Sequence, residues 1–177
     1  MDKQALLDAL TANHKQFLAT LDTLSAQELE TAPEGKWTAL QQLDHLRITI
    51  DAVNLVFKVP FFMAKWYFGK ANRPSKTYQE YVAKYQLKSA GNTAPALEKY
   101  VPKNRTAKEY NTLVAALNKS VERMHKGISK KTEAQFEALM LPHPLTGRGT
   151  LREMLYFSVY HALHHENLVK QYLGKQQ

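Results

Sequence analysis

The chain has 177 residues, 44% of them hydrophobic, which suits one globular domain (residues 1–177) with a substantial core. Seven glycines and seven prolines are too few for a collagen-like or disordered chain, and the lack of cysteine excludes disulfides, a protein thiolate nucleophile and a cysteine-bound zinc. The net charge of +8 allows an anionic partner, but the basic residues are dispersed, so we expect a solvated surface and no specific nucleic-acid binding.

Residues 1–6 lack the apolar core of a secretory signal and read directly as the start of a helix. Together with the absence of cysteine, this favours a cytoplasmic protein.

Apolar residues recur at helical spacing in four long segments, three of which open with a capping box. The segments are Lys3–Leu24 after the N-cap Asp2, Thr38–Phe57, Thr106–Gly127 and Thr150–Gly174. Glycine is a common helix stop, so Gly127 and Gly174 mark the predicted ends of the last two. Because the alternation typical of strands is almost absent, the pattern predicts an all-α four-helix bundle.

Shorter pieces lie between these helices. Capping signals predict short helices at Ser25–Pro33 and after Thr132. The helical spacing of Tyr78, Tyr81, Val82 and Tyr85 predicts another at Thr77–Lys88. A long connection, Ser89–Arg105, separates the second and third main helices, and such connections are often functional or wrap a neighbouring element. A turn-rich loop, Pro142–Gly149, precedes the last helix.

The segment Val53–Phe68 is almost continuously apolar and aromatic. It is too short to span a bilayer, and Pro60 should end or kink the helix within it. We expect it to form core or a self-association surface; an interfacial membrane anchor is the alternative.

Three of the seven histidines lie between Tyr160 and Glu166, inside the last predicted helix. His161 and His165 are four residues apart, so both project from one edge of the apolar face, whereas His164 turns towards solvent. Unpartnered buried imidazoles are unfavourable, and a transition metal would serve as the partner of both. Hydrogen-bonded core histidines remain the alternative, because a single pair at this spacing is a weak signal.

A metal site also needs a third protein ligand. His45, on the flank of the apolar face of the second long helix, is the best candidate, and His14 and His143 remain alternatives. Three histidines leave coordination positions open for water or substrate, as in catalytic sites.

Other polar residues near these histidines have more limited expected roles. Gln41, four residues before His45, could line the same helix face and orient an imidazole. Asp44 and Glu166 each adjoin a candidate ligand and therefore point about 100° away from it. Glu153 is expected to close the capping box that starts the last helix.

Two stretches resemble the DinB-like superfamily, which includes the YfiT-like metal-dependent hydrolases. Trp37–Leu46 resembles its second-helix signature, and Pro142–His165 resembles its loop and fourth-helix signature. The resemblance implies a four-helix bundle and a divalent metal, nickel or zinc, held by His45, His161 and His165. It also implies a homodimer.

Members of this superfamily with known activity include S-transferases and an isomerase that use low-molecular-weight thiols. Many members follow the paired histidines with Arg-Gly, whereas Glu166-Asn167 stands here. The leading hypothesis is a metal-dependent S-transferase or hydrolase-like enzyme acting on a small molecule, with a thiol as a possible partner. The alternatives are a non-catalytic metal- or ligand-binding module, and an interaction protein that uses its basic surface or residues 53–68.

Overall fold

A computed structural model of the protein describes residues 1–91 and 96–175. Eight helices and one hairpin follow in chain order: α1 (Lys3–Asp22), α2 (Ala26–Glu30), α3 (Ala39–Lys58), α4 (Phe61–Phe68), α5 (Tyr78–Ala90), α6 (Tyr110–Ser129), α7 (Glu133–Phe136), β1 (Met140–His143), β2 (Gly147–Thr150) and α8 (Leu151–Tyr172). Single 3₁₀ turns lie at Glu98–Tyr100 and Ala107–Glu109. The four long helices α1, α3, α6 and α8 confirm the predicted bundle.

Side-chain caps start the helices at the predicted places. Asp2 accepts a hydrogen bond from the Ala5 backbone N–H at 2.8 Å, which satisfies one of the donors left free at the start of α1. Reciprocal capping boxes form at Ser25, Thr38, Thr77, Thr132 and Thr150. The box at Thr106 opens the 3₁₀ turn Ala107–Glu109, and α6 itself begins after it, at Tyr110. Short local signals therefore fix most helix starts before any tertiary contact is considered.

The four long helices form a ring in which α1 packs on α8, α8 on α3, α3 on α6, and α6 on α1. Their apolar stripes meet in one core, whose fully buried members include Leu6, Leu10, Phe17, Leu43, Leu117 and Met124. α5 lies against α8. This arrangement makes the second and last long helices neighbours, so residues on α3 and α8 can share a site.

The loop before α8 is a small antiparallel hairpin, which the sequence pattern did not predict. β1 and β2 pair from Met140 opposite Thr150 to His143 opposite Gly147. Each strand has only four residues and together they contain one proline and two glycines, so no alternation could be read. Gly147 has a φ of +77°, which a turn at this point favours.

The predicted stop of α6 at Gly127 is wrong, because the helix continues to Ser129. Gly127 faces the ring of Phe57 on α3, and a Cβ added there would lie 2.5 Å from Phe57 Cγ. This glycine permits close packing of two helices and does not end one. Gly174, with a φ of +65°, does follow the end of α8 as predicted.

The apolar segment 53–68 divides between two helices. α3 ends at Lys58, two residues before Pro60, as predicted from the proline, and Pro60 is the N-cap residue of α4. Phe61 and Phe68 pack against the core, but Phe62 and Trp66 are 73% and 86% exposed. Within the ranges that the structure describes, no helix has the length and apolar character needed to cross a membrane.

Candidate metal centre

Three histidines from two neighbouring helices come together inside the bundle. His45 lies on α3, and His161 and His165 lie one turn apart on α8; their exposed fractions are 8%, 3% and 4%. One ring nitrogen of each lies within 4.8 Å of those of the other two. The Nε2 atoms of His161 and His165 are 2.8 Å apart. The fold thus brings together the three histidines that the sequence selected.

His45 is oriented by the long connection between α5 and α6. Its Nδ1 donates to the backbone carbonyl of Tyr100 at 2.7 Å. A carbonyl can only accept, so the proton of the neutral ring lies on Nδ1 and Nε2 carries a lone pair. The connection therefore contacts the site, as its length suggested. Its residues 92–95, which include Pro95, lie outside the described part of the chain.

His161 and His165 are oriented by two polar side chains of α3. His165 Nδ1 donates to Oε1 of Gln42, and His161 Nδ1 donates to the hydroxyl of Thr49 at 3.3 Å. The Thr49 hydroxyl donates its hydrogen to the Leu46 carbonyl at 3.0 Å. Its oxygen can therefore only accept a hydrogen bond from the imidazole. In both rings Nε2 is therefore the bare nitrogen.

This arrangement fits a bound cation. Burial lowers the pKa of His45, and burial together with the neighbouring histidines holds the pKa values of His161 and His165 well below their usual range. All three rings are neutral near pH 7, and their Nε2 lone pairs converge. Two lone pairs only 2.8 Å apart repel unless a positive ion lies between them. Imidazole Nε2 with an oriented Nδ1–H is also the usual ligand form of histidine.

The other candidate histidines lie outside this group. His14 is buried in α1, where Nδ1 donates to the Leu10 carbonyl at 2.7 Å and Nε2 has no partner within residues 1–91 and 96–175. His143 lies on β1 and is not one of the converging set. His164 was expected to turn towards solvent, but it is half-buried, and its ring centroid lies 5.5 Å from that of Tyr85.

The carboxylates next to the three histidines bind side chains of the surrounding helices and connections. Asp44 binds the guanidinium groups of Arg47 and Arg105 at 2.7 and 2.8 Å. Glu166 accepts from Gln16 and Thr20 and so holds α8 against α1. Both point away from the site, as the helical projection predicted.

Glu153 also has the predicted capping role, and a second role as well. Its carboxylate accepts from the Thr150 backbone and binds the Arg73 guanidinium. It therefore ties the segment before α5 to the start of α8.

A cavity of about 1480 Å³ opens beside the three histidines. Its wall is largely apolar and includes Val56, Leu141, Leu145, Met154, Phe157 and Leu168. Three exposed lysines, Lys36, Lys58 and Lys99, lie among the lining residues. A small organic molecule could therefore reach the open side of the site.

Gln42, Thr49 and Tyr100 are the functional residues that sequence reasoning missed. Gln41, which we expected to orient an imidazole, closes the capping box of α3 and donates to Asn104. Gln42 and Thr49 lie three before and four after His45, so helical spacing could have found them. No sequence signal exists for the Tyr100 carbonyl, because any residue supplies one.

The sequence model described as the DinB superfamily matches residues 3–169. YfiT from Bacillus subtilis, described as a probable metal-dependent hydrolase with an unusual four-helix bundle topology, is similar in structure with a TM-score of 0.62 and 20% identity; the match covers 98% of this chain and 89% of that one. A conserved protein from Enterococcus faecalis has a TM-score of 0.63 and 17% identity, with 99% of both chains covered.

The four-helix bundle protein TT2238 is also similar, with a TM-score of 0.60, 18% identity, and 96% of this chain and 99% of that chain covered. Among curated proteins, none matches the sequence of this chain. At these identities the solved structures establish the shared fold.

Proposed function

Since this chain belongs to the DinB superfamily, we propose that it is a metal-dependent enzyme whose divalent metal is held by Nε2 of His45, His161 and His165. The observation that carries the proposal is the convergence of three bare imidazole nitrogens beside a cavity large enough for a small substrate. The description of YfiT as a probable metal-dependent hydrolase supports the same class of function.

Nickel or zinc suits a set of three imidazoles. When bound, such an ion supplies Lewis acidity, which lowers the pKa of a water or thiol in an open position. The protein's own residues prepare the site. The Tyr100 carbonyl, Gln42 and Thr49 fix the tautomer and direction of each ring, while the apolar wall limits the access of water.

We further propose that the substrate is a small molecule, processed by thiol-dependent S-transfer or by hydrolysis. A thiol would have to come from a cosubstrate, because the protein contains no cysteine. The low-molecular-weight thiol and a homodimer belong to this proposal through the resemblance to the superfamily. A cytoplasmic setting belongs to it through the sequence, which contains no cysteine.

Metal analysis of purified protein tests the ligand set. We expect about one nickel or zinc per chain in the wild type, and at least about a tenfold lower occupancy in His45→Ala, His161→Ala and His165→Ala. His164→Ala is the matched control, because it removes a histidine of the same helix that lies outside the converging set, and it should keep the metal. If all three ligand variants keep the metal, the assignment is wrong.

Turnover separates an enzyme from a binding module. The zinc- and nickel-loaded forms would be incubated with thiols plus an electrophile, and separately with chromogenic esters. We expect one reaction to exceed that of the His45→Ala variant. If the wild type binds one metal per chain but turns over no substrate faster than His45→Ala does, the protein is a non-catalytic metal-binding module.

A further inference from the structure

His143, which the proposed metal site does not use, is held in a single protonation form. Its Nδ1 accepts two hydrogen bonds, from the backbone N–H groups of Leu145 and Thr146, each at 3.1 Å. Both partners are donors, so Nδ1 cannot carry a proton and the hydrogen of the neutral ring lies on Nε2. The hairpin turn thus fixes His143 as an Nε2–H donor.

The ring of His143 lies at the cavity, close to the metal centre. It is one of the lining residues, and its centroid is 4.4 Å from that of Phe157, which in turn lies 4.3 Å from that of His161. Its Nε2 makes no hydrogen bond to any residue within 1–91 or 96–175. Burial, helped by the nearby Lys84, lowers its pKa to about 4, so the ring stays neutral at pH 7.

The polar groups around the same cavity favour a ligand with a negatively charged hydrogen-bond acceptor. Lys36, Lys58 and Lys99 line it, and Asp51 is the one carboxylate in the lining that the structure describes. The two oxygens of Asp51 are already engaged by arginines of α3 and α6. The cavity thus offers a ligand an N–H donor, positive charge and an apolar wall. Its carboxylate, that of Asp51, is already neutralised by the two arginines.

We propose that His143 binds the substrate: its Nε2–H donates to a carboxylate oxygen of a molecule whose apolar body lies along the cavity wall. This inference rests on the proposed function, since it concerns the same cavity. It assigns His143 a binding role, distinct from the metal ligands. The substrate class is an apolar carboxylic acid.

Two substitutions separate this role from a purely structural one. In His143→Asn the side-chain oxygen can take the place of Nδ1 and accept from the turn, but the Nε2–H donor is lost. In His143→Gln the longer amide can present an N–H near the position of Nε2, but it leaves the turn without its acceptor. If His143 binds the substrate, His143→Asn should lose more substrate affinity than His143→Gln. If His143 only stabilises the turn, His143→Gln should lose more.

The probes are hexanoate and hexylamine, which share an apolar body and differ in charge and in the ability to accept. Binding would be measured by isothermal titration on the zinc-loaded full chain and on chelator-treated protein. We expect the wild type to prefer hexanoate, and His143→Asn to bind it about tenfold more weakly, the loss of one hydrogen bond to a charged group. His143→Gln should stay within about threefold, and hexylamine binding should not change.

Equal hexanoate affinities, or a weaker affinity in His143→Gln than in His143→Asn, would overturn the binding role. The metal-free arm keeps the two proposals apart. If the three histidines do not bind metal, the purified protein will contain no zinc at this site. The difference in hexanoate affinity between His143→Asn and His143→Gln should still be measurable in chelator-treated protein.

Nitrogen spectra of the histidine rings in the wild type test the proposal without any variant. In ¹⁵N-histidine-labelled, zinc-loaded protein we expect His143 to show an unprotonated Nδ1 and a protonated Nε2, and the Nε2–H signal should move as hexanoate is added. A protonated Nδ1, or an Nε2–H signal unchanged at saturating hexanoate, would contradict it.

Discussion

Two adjacent glutamines at the start of α3 have different tasks. Gln41 closes the capping box with Thr38, whereas Gln42 lies on the buried side and its Oε1 accepts from Nδ1 of His165. The Gln42 amide nitrogen faces the Trp37 carbonyl at 3.4 Å, which keeps the oxygen directed at the histidine. The pair therefore offers a matched test of how much the orientation of one ligand contributes to metal affinity.

We predict that Gln42→Ala lowers zinc affinity about 10–100-fold, the usual effect of removing a partner of a ligand imidazole. Competition with a chromophoric chelator measures the affinity. Gln41→Ala should leave it unchanged and reduce only the free energy of unfolding, by about 1 kcal/mol, because the Thr38 backbone N–H loses its side-chain acceptor while the Thr38 hydroxyl still accepts from residue 41. Equal zinc affinities of the two variants would contradict the assigned role of Gln42.

His14 makes stability depend on pH at a point remote from the proposed metal. Burial lowers its pKa from 6.5 to about 4, an effect only partly offset by the hydrogen bond to Leu10. Because the folded state disfavours the proton, the stability tied to neutral His14 is present above pH 6.5 and is lost as the pH falls towards 4.

We predict that His14→Leu, which cannot ionise, loses less stability than the wild type between pH 7 and pH 4.5. The difference should be about 2–3 kcal/mol, from the size of the pKa shift. Denaturant titrations of metal-free protein at both pH values measure it, and the other histidines contribute equally to both proteins. Parallel losses in the two proteins would show that His14 does not titrate in this window.

At the residue scale, a sequence predicts which face of a helix a side chain lies on better than it predicts which residues that side chain contacts. The helical projection placed His161 and His165 at the inward edge of their helix, and His45 on the flank of another. It could not show that His143 would have its Nδ1 occupied by a turn, because that turn depends on strand pairing that a four-residue pattern does not reveal.

Among the elements, the contact between α3 and α6 depends on a missing side chain. The ring of Phe57 occupies the space beside Gly127, where a Cβ would lie 2.5 Å from Cγ. We predict that Gly127→Ala destabilises the protein by about 1–3 kcal/mol through overpacking, although alanine is the better helix former. Chemical denaturation measures the change.

The partner residue supplies the control. In a Phe57→Ala background the space is empty, so Gly127→Ala should be neutral or stabilising, and the two changes should be strongly non-additive. Additive effects would show that the glycine matters for another reason.

Helix starts were predictable because a capping box is a local feature of four residues. The end of α6 was not, since Gly127 has two competing explanations and the deciding one, the ring of Phe57, lies 70 residues away along the chain (127 minus 57). The hairpin was missed for a similar reason. Its strands are defined by pairing with each other more than by their own composition.

For the molecule as a whole, α4 presents an unusual surface. Phe62, Met63, Trp66 and Tyr67 occupy one side of this short helix, and each is between 48% and 86% exposed. Adjacent exposed apolar side chains of this size mark interaction surfaces. A second copy of the chain is the occupant we propose, in keeping with the homodimer expected from the resemblance.

We predict that the wild type sediments as a dimer and that the double variant Phe62→Ser/Trp66→Ser dissociates at least about tenfold more readily, because two large apolar anchors are removed. Leu87→Ser is the matched control. Leu87 is 75% exposed but lies on a different helix, α5, so its loss should leave the dimer intact. A double variant that remains dimeric would place the interface elsewhere.

The bond from His45 to the Tyr100 carbonyl has a consequence for how relatives of this protein can vary. A main-chain acceptor is insensitive to the side chain at its position, so position 100 can change identity without disturbing this contact. The contact depends instead on the path of the backbone at this point, which the ion pair of Arg105 with Asp44 helps to hold. Insertions or deletions beside position 100, more than substitutions at it, are therefore the changes that should reach the histidine centre.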